Sequence, residues 1–351
     1  MTSPFLLRVV ATLLLALAAA LLCVWLRIPL PWMIGPLLAT AAASMLRAST
    51  TSWAPLRNIG QCTIGLALGL YFTPQVGALV LGLWWAVLLG IVWALLLGWL
   101  FGLWLQRTQA RHLPGLNQAT TWFAGAIGAA SEMTLLAERA HARTDLVAAS
   151  HSLRLLIVAV LVPFGMQFSG WQGIDGSATA GRAFSPGGML LLVLAASAGA
   201  WLLDRLGRAN PWFMGPMVVA MAFTLAGIEL TGIPGWLSNA AQLFIGVSLG
   251  VRFTPAFVHT APRWLAAVAV GTLAMIGLSA GFAWLLSLGT DLHPATLLLG
   301  TAPGGIAEMS ITAKVLQLGA PVVTVFQICR LFAVLVLVDP LFHWQQRRRR
   351  P

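Results

Sequence analysis

The sequence predicts an all-α polytopic membrane protein made of two inverted repeats, with about ten spanning helices and two glycine-broken or re-entrant segments. The composition is the first reason: the chain is 59% hydrophobic and 8% charged, with a mean hydropathy of +0.88, whereas about a quarter of a soluble domain is charged. The second reason is segment length. Val76–Trp104 and Leu265–Leu288 carry no charge and exceed the ~20 residues that cross a bilayer.

The third reason is an internal duplication. One line of residues comprises Asn58, Gln61, Ile64-Gly65, Leu68-Gly69 and Phe72-Thr73-Pro74, and it returns as Asn239, Gln242, Ile245-Gly246, Leu249-Gly250 and Phe253-Thr254-Pro255. Upstream and downstream motifs are repeated as well, namely Pro31-Trp32 as Pro211-Trp212, Gly35-Pro36 as Gly215-Pro216, and Glu132-Met133 as Glu308-Met309. Because the motifs keep their order, one structural unit is used twice.

Each repeat contains six apolar segments. Their approximate bounds are 5–26, 29–46, 58–72, 76–104, 115–137 and 146–167, then 186–203, 211–228, 236–251, 264–288, 294–313 and 321–344. Repeat one therefore covers 1–168, a linker 169–185, repeat two 186–346, and a basic tail 347–351. The segments do not alternate polar with apolar residues, so we expect helices rather than strands. The first segment could be a signal peptide, but its place in the repeat favours a retained helix.

The arginines predict the topology. In repeat one they follow the second, fourth and fifth segments, whereas in repeat two they follow the first and third. Under the positive-inside rule, this shift gives the two repeats opposite orientations. Inversion requires an odd number of crossings per repeat, so one of the six segments does not cross. The glycine-rich fifth segment is the best candidate, since a non-crossing third segment would move Arg107 and Arg111 outside; both termini are then cytoplasmic.

Two equivalent carboxylates, Glu132 and Glu308, lie deep in apolar segments, where an ionised group costs ~2.5 kcal/mol or more. Each follows a stretch that is too rich in glycine for an ordinary helix. These stretches contain Gly125 and Gly128 in repeat one, and Thr301, Pro303, Gly304 and Gly305 in repeat two. Repeat one lacks the proline, which predicts a weaker break there. Opened helix ends present amides suited to an anion, or carbonyls suited to a cation.

Two buried arginines are also candidates. Arg154 and Arg330 follow Glu132 and Glu308 by the same interval, about 33 Å along a straight helix. If the fifth segment turns back, each arginine lies beside its carboxylate. Buried Glu–Arg bridges that fix the packing of the repeats and charges that face a solute or carry a proton remain equally open. His151 precedes Arg154 by one turn but is matched by Gln327, so no shared histidine chemistry is predicted.

A second polar group consists of two amide pairs on equivalent helices, Asn58 with Gln61 and Asn239 with Gln242. Each pair lies on one helical face and is followed by a Gly-x-x-x-Gly pattern that permits close helix approach. The pairs are candidate solute contacts. Packing faces and helix caps account for the same pattern, so both interpretations stay open.

The duplicated Pro-Trp-x-x-Gly-Pro and Ile-Gly-x-x-Leu-Gly lines, with Pro-Gly-Gly-Ile-Ala-Glu-Met at 303–309, resemble the bacterial membrane AbrB family, which is defined by an internal duplication. The resemblance covers nearly the whole chain. It implies the labels that members carry, regulator of gene expression or ammonia monooxygenase. The family is also similar to inverted-repeat transporters of the cation–proton antiporter and anion transporter superfamily, which implies that Gly125–Glu132 and Thr301–Glu308 are the broken segments. Repeat one departs by lacking the Pro-Gly-Gly core.

Neither label fits the residues well. An oxygenase requires converging imidazoles or carboxylates, and the histidines outside His151 lie in loops or at helix ends; the three cysteines lack metal-type spacing. We therefore predict no enzymatic activity, metal or cofactor. The net charge of +11 is dispersed over short loops, so we expect no direct nucleic-acid binding.

We predict an inner-membrane protein that binds or translocates a small polar or anionic solute or ion between its repeats. Its expected partners are the lipid bilayer and that small-molecule or ion ligand. The alternative is a membrane sensor or regulator that affects gene expression indirectly.

Overall fold

The computed structural model describes residues 3–113, 115–171, 183–208, 210–255 and 261–349. Within these ranges the chain forms fifteen helices and no strand, which confirms the all-helical prediction. In repeat one the helices are α1 Ser3–Trp25, α2 Pro31–Met45, α3 Ala54–Gly69, α4 Pro74–Gly82, α5 Trp84–Gln109, α6 Gln118–Gly125, α7 Ala130–Arg139 and α8 Thr144–Phe168. In repeat two they are α9 Pro186–Arg205, α10 Pro211–Leu225, α11 Gly235–Gly250, α12 Pro262–Ser287, α13 Pro294–Thr301, α14 Ile306–Val315 and α15 Ala320–Arg349. Residues 172–182 of the predicted linker and 350–351 of the predicted tail lie outside the described residues.

Six of these helices, α1, α5, α8, α9, α12 and α15, are long and apolar enough to cross a membrane. The number rises to seven if α3 and α4, which are bent by 85° at their junction, form one span. Large apolar side chains such as Leu7, Leu14 and Leu190 are more than 60% exposed on these helices. Contiguous apolar surface of this kind is rare on soluble proteins. The chain is a multi-pass membrane protein.

The predicted fourth segment, 76–104, is not one helix. Its first residues belong to α4, which begins at Pro74 and ends at Gly82, and the remainder belongs to α5. Leu83 interrupts the helix with φ −96° and ψ 12°, and α4 has no buried residue to align it with α5. Hydropathy does not reveal this break, because the residues on both sides of it are apolar.

The helices divide into two compact units, and each unit draws on both repeats. The first unit comprises Met1–Gly82, Pro163–Ala256 and Ser310–Pro321, and the second comprises Leu83–Val162, Phe257–Met309 and Val322–Pro351. The boundaries of these units therefore do not coincide with those of the repeats. Helices α1 to α4 of repeat one and α9 to α11 of repeat two belong to the first unit, and the later helices of each repeat form most of the second.

Helix packing in the first unit is reciprocal. Helix α3 of repeat one packs on α10 of repeat two. The equivalent helix of repeat two, α11, packs on α2 of repeat one. A Cβ atom at Gly65 or Gly69 would collide with the carbonyls of Phe213 or Met217, and one at Gly246 or Gly250 with the carbonyls of Met33 or Leu37. The Gly-x-x-x-Gly patterns thus bring helix backbones into direct contact, as small residues do in membranes.

The second unit is built around the broken segments. Helix α5 packs on α6 and α12, and α12 packs on α13. Its core contains Leu97, Phe101, Phe123, Met133 and Trp264, all less than 5% exposed. Close packing of this kind stabilises helices that are too short to be stable alone.

Candidate functional site

Both glycine-rich segments are broken helices in the second unit. Helix α6 ends at Gly125 and α7 begins at Ala130, while α13 ends at Thr301 and α14 begins at Ile306. The residue after the first half-helix has nearly the same backbone conformation in both repeats. Its φ and ψ are −54° and 138° at Ala126, and −59° and 147° at Ala302. The break in repeat one is therefore complete, although the proline is missing.

In repeat one the broken segment turns back toward its starting point. The Asn117 side chain caps α6 by accepting from the Thr120 amide at 2.8 Å, and it donates to the His141 carbonyl at 2.9 Å. The Arg143 amide in turn donates to the Thr120 hydroxyl at 2.9 Å. The residues after α7 are thus hydrogen-bonded to the start of α6. The chain therefore turns back on itself within this segment.

The two buried arginines bind the carbonyl ends of the first half-helices. Arg154, 2% exposed, donates to the carbonyls of Ala124, Gly125 and Ala126 at 3.3, 3.4 and 2.9 Å. Arg330, 5% exposed, donates to the carbonyls of Ala302 and Gly304 at 2.6 and 2.7 Å. The last carbonyls of a helix lack partners and carry its negative dipole end. Each guanidinium supplies both the missing donors and the opposite charge.

The residue one turn before each arginine makes an equivalent bond. His151 Nε2 lies 2.9 Å from the Phe123 carbonyl, and Gln327 Nε2 lies 2.7 Å from the Leu299 carbonyl. Arg154 Nη2 is 2.8 Å from His151 Nδ1. These contacts fit a neutral imidazole that carries its proton on Nε2 and accepts at Nδ1. Histidine and glutamine thus perform the same structural task, which the mismatch in sequence had concealed.

The hydrogen bonds described for Arg154 and Arg330 do not go to Glu132 or Glu308. In the described part of the chain, both arginines donate to backbone carbonyls, and Arg154 also contacts His151. The Nε atoms of both arginines are buried without a hydrogen-bond partner. Each arginine thus contacts the backbone at the break of its own repeat.

The two glutamates occupy the first turn of the second half-helices. Glu308 is 7% exposed, and a Cβ atom at Gly305 would collide with its carboxylate, so the carboxylate lies against the start of α14. Glu132 is half-buried and accepts a hydrogen bond from the Ser131 hydroxyl at 2.6 Å. A carboxylate in the first turn is favoured by the positive dipole end of the helix. All four ionisable residues therefore complement ends of broken helices.

The amino end of α7 is the most open part of this arrangement. Ala129 caps it without any side-chain hydrogen bond. Gly128, Ala129 and Ala130 are half-buried and Ser131 is exposed. The first amides of a helix and its positive dipole end suit a negatively charged or polar group. The carbonyl ends, in contrast, are already occupied by the arginines, so a cation has fewer ligands here than the sequence suggested.

The amide pairs lie elsewhere, on α3 and α11 in the first unit. These helices are in contact, and a Cβ atom at Gly60 would come within 2.8 Å of the Ala241 carbonyl. Gln242 is buried, whereas Asn58, Gln61 and Asn239 are half-buried, and Asn58 accepts a hydrogen bond from Arg57 at 3.3 Å. The predicted site residues are thus divided between the two units.

Sequence reasoning did not single out Ser131, Asn117 or Lys314. Ser131 could have been found, because it precedes Glu132 in the repeated motif. Lys314 lies 3.4 Å from the Ser238 hydroxyl and 6.0 Å from the Tyr71 ring centre, within the first unit. No local pattern in the sequence signals that contact, because its partners are far away along the chain.

The fold and these breaks define a multi-pass helical membrane protein with an internally duplicated, broken-helix centre. Residues 32–346 match the family model described as "Transition state regulatory protein AbrB", so the chain belongs to the AbrB family. It is similar to "Uncharacterized protein YhjN" of Bacillus subtilis (strain 168), with 25% identity over 342 residues, covering 90% of this chain and 87% of that protein. It is also similar to "Putative regulator AbrB" of Escherichia coli (strain K12), with 27% identity over 213 residues, covering 60% of this chain and 61% of that protein.

Proposed function

We propose that this protein binds and translocates a small polar or anionic solute between two inverted repeats. The observation that carries the proposal is the open amino end of α7, whose capping residue Ala129 makes no side-chain hydrogen bond. Two buried arginines lie in the same unit, and both keep an unpartnered Nε atom. A polar backbone opening at membrane depth is tolerated where it lines a cavity. It is the usual way in which transporters build a solute site.

The proposed topology has ten spans, with the two broken segments not crossing. The hydrogen bonds that return α7 to the start of α6 support this reading for repeat one. The shifted arginines support opposite orientations of the repeats under the positive-inside rule. Both termini are then cytoplasmic, in a bacterial inner membrane. The proposal needs no enzymatic step and no cofactor.

Glu132 is the proposed coupling group. It is half-buried at the amino end of α7, next to the exposed Ser131. An ionised carboxylate there repels an anion, and a protonated one does not. Solute binding and proton binding should therefore favour each other, as in proton-coupled anion uptake. Glu308, which lies buried at the equivalent position, has the supporting role of fixing the start of α14.

Thermal stability of the purified protein tests this proposal. The wild type is melted with phosphate, acetate, glutamate or ammonium over a range of pH. We expect selective stabilisation by one anion that grows as the pH falls, as the proposed coupling of solute and proton binding requires. In Glu132→Gln the same anion should stabilise equally at every pH. In Glu308→Gln the stabilisation should weaken or disappear, because the start of α14 is no longer fixed.

Glu138→Gln, which changes an exposed carboxylate at the end of the same helix, is the matched control and should behave as the wild type. Stabilisation by ammonium alone would overturn the anionic preference. If no probe stabilises the wild type selectively, the broken segments are structural and the proposal fails.

A membrane sensor is the second candidate, because the Escherichia coli relative is named a regulator. A sensor binds the solute but does not move it. Uptake of the stabilising anion into proteoliposomes separates the two functions. Accumulation that is lost when the pH gradient is collapsed supports transport, whereas binding without uptake supports sensing.

A further inference from the structure

An apolar groove lies within the second unit, away from the charged residues described above. It has a volume of about 330 Å³ and is lined by residues of α5, α6 and α15. Its walls are formed mainly by Leu95, Trp99, Trp122, Val338, Leu341 and Trp344. This volume lies within the range of pockets that hold small ligands. Because the groove has so few polar groups, it suits an apolar chain rather than a polar ligand.

One end of the groove is also the basic end of this unit. A Cβ atom at Gly102 of α5 would come within 3.0 Å of the Thr121 carbonyl, and the ring of Trp122 packs against Phe342 of α15. The start of α6 therefore lies beside the C-terminal ends of α5 and α15. Exposed arginines follow at these ends, namely Arg107, Arg111 and Arg347.

The combination identifies an occupant by its chemistry. An apolar groove open to the bilayer accepts an acyl chain, and arginines at its end attract a phosphate headgroup. Tryptophan side chains near the groove, such as Trp99 and Trp344, are exposed by 41% and 53%, as is common at the boundary between headgroups and hydrocarbon. We propose that the groove binds one acyl chain of an anionic phospholipid, with its headgroup held by the arginines of α5 and α15.

The bound chain would also touch the broken segment. Ala126 and Ile127 line the groove, and the Ala126 carbonyl is the one that Arg154 holds at 2.9 Å. An acyl chain in the groove would therefore pack against the apolar side of the broken segment. This lipid site does not depend on the proposed solute transport.

Native mass spectrometry tests the proposal. The full chain is extracted from vesicles of equal parts phosphatidylglycerol and phosphatidylcholine, and the retained lipid is identified. We expect phosphatidylglycerol to be retained several-fold more than phosphatidylcholine. Leu341→Trp, which fills the groove, should lower retention of both lipids. The triple variant Arg107→Gln, Arg111→Gln, Arg347→Gln should abolish the preference for phosphatidylglycerol.

Two controls keep the test independent of folding. Leu88→Trp adds the same ring at an exposed position of α5 outside the groove, and Arg205→Gln with Arg208→Gln removes exposed charge from the first unit. Both should retain lipid as the wild type does. Equal retention of the two lipids by the wild type overturns the proposal. Unchanged lipid retention by a folded Leu341→Trp protein also overturns the proposal, because the lipid would then be bound through headgroup contacts alone.

Discussion

The two broken segments have the same backbone conformation at the break but different side chains. Ala126 and Ala302 differ by less than 10° in φ and ψ, although repeat two has Pro303 and repeat one has Ile127 at the next position. Both breaks have an arginine on the freed carbonyls and a glutamate in the following turn. The shared feature is the capping of helix ends, so we infer that capping maintains the break in both repeats and that Pro303 reinforces it in repeat two.

Removing the arginines tests this inference most directly. Arg154→Met leaves the carbonyls at the end of α6 without their charged donor, and repeat one has no proline to keep the helix open. Losing hydrogen bonds to a charged group should lower the free energy of unfolding by about 3 kcal/mol. We expect a smaller loss for Arg330→Met, because Pro303 still excludes a continuous helix. Denaturant unfolding of the detergent-solubilised variants measures both.

Arg208→Met, which removes an exposed arginine, is the control and should leave the unfolding curve unchanged. Equal losses in Arg154→Met and Arg330→Met would show that the proline contributes nothing. A larger loss in Arg330→Met would reverse the comparison.

Packing around the break differs between the repeats as well. A Cβ atom at Gly125 would come within 2.5 Å of the Gly98 carbonyl and 2.7 Å of the Gly102 amide, whereas repeat two has Thr301 at the equivalent position. Gly125→Ala should therefore destabilise by about 1–3 kcal/mol through overpacking. Thr301→Ala should cost less, since it loses one hydrogen bond to the Leu297 carbonyl within its own helix.

Gly165→Ala is the matched control for that prediction, because it introduces the same methyl group into helix α8 with no neighbour within 4 Å. It should be neutral or slightly stabilising. A stable Gly125→Ala protein would mean that α5 and α6 can move apart.

Much of this architecture could be predicted from the sequence. Composition and the uncharged segments predict the membrane helices, and glycine marks both breaks as well as the close contacts of α3 and α11. The break at Leu83 and the partners of Arg154 and Arg330 could not be predicted. The break has no charge or proline to mark it. Carbonyl oxygens occur at every position, so a bond from a side chain to the backbone leaves no pattern. The division into two units depends on packing between distant segments, which spacing does not record.

His151 and Gln327 provide a finer test of equivalence. His151→Gln should change stability by less than about 1 kcal/mol, because Gln327 already makes the same bond in repeat two. His151→Leu leaves the Phe123 carbonyl without its donor and should cost about 1–3 kcal/mol. Thermal unfolding of the two variants separates a hydrogen-bonding role from a chemical one. A loss of transport in a stable His151→Gln protein would indicate histidine chemistry that the comparison of repeats does not predict.

The glutamates should give the smallest difference. Both lie in the first turn of a half-helix, where a negative charge contributes about 0.3–1 kcal/mol, and up to ~2 kcal/mol when partly buried. Glu308 is 7% exposed and Glu132 is half-buried, so Glu308→Gln should lower the unfolding free energy more than Glu132→Gln. Unfolding curves at low and high salt measure this, because salt screens the exposed charge more strongly. An equal, salt-insensitive loss in both variants would place the two carboxylates in equivalent surroundings, and the assignment of proton coupling to Glu132 alone would then lose its basis.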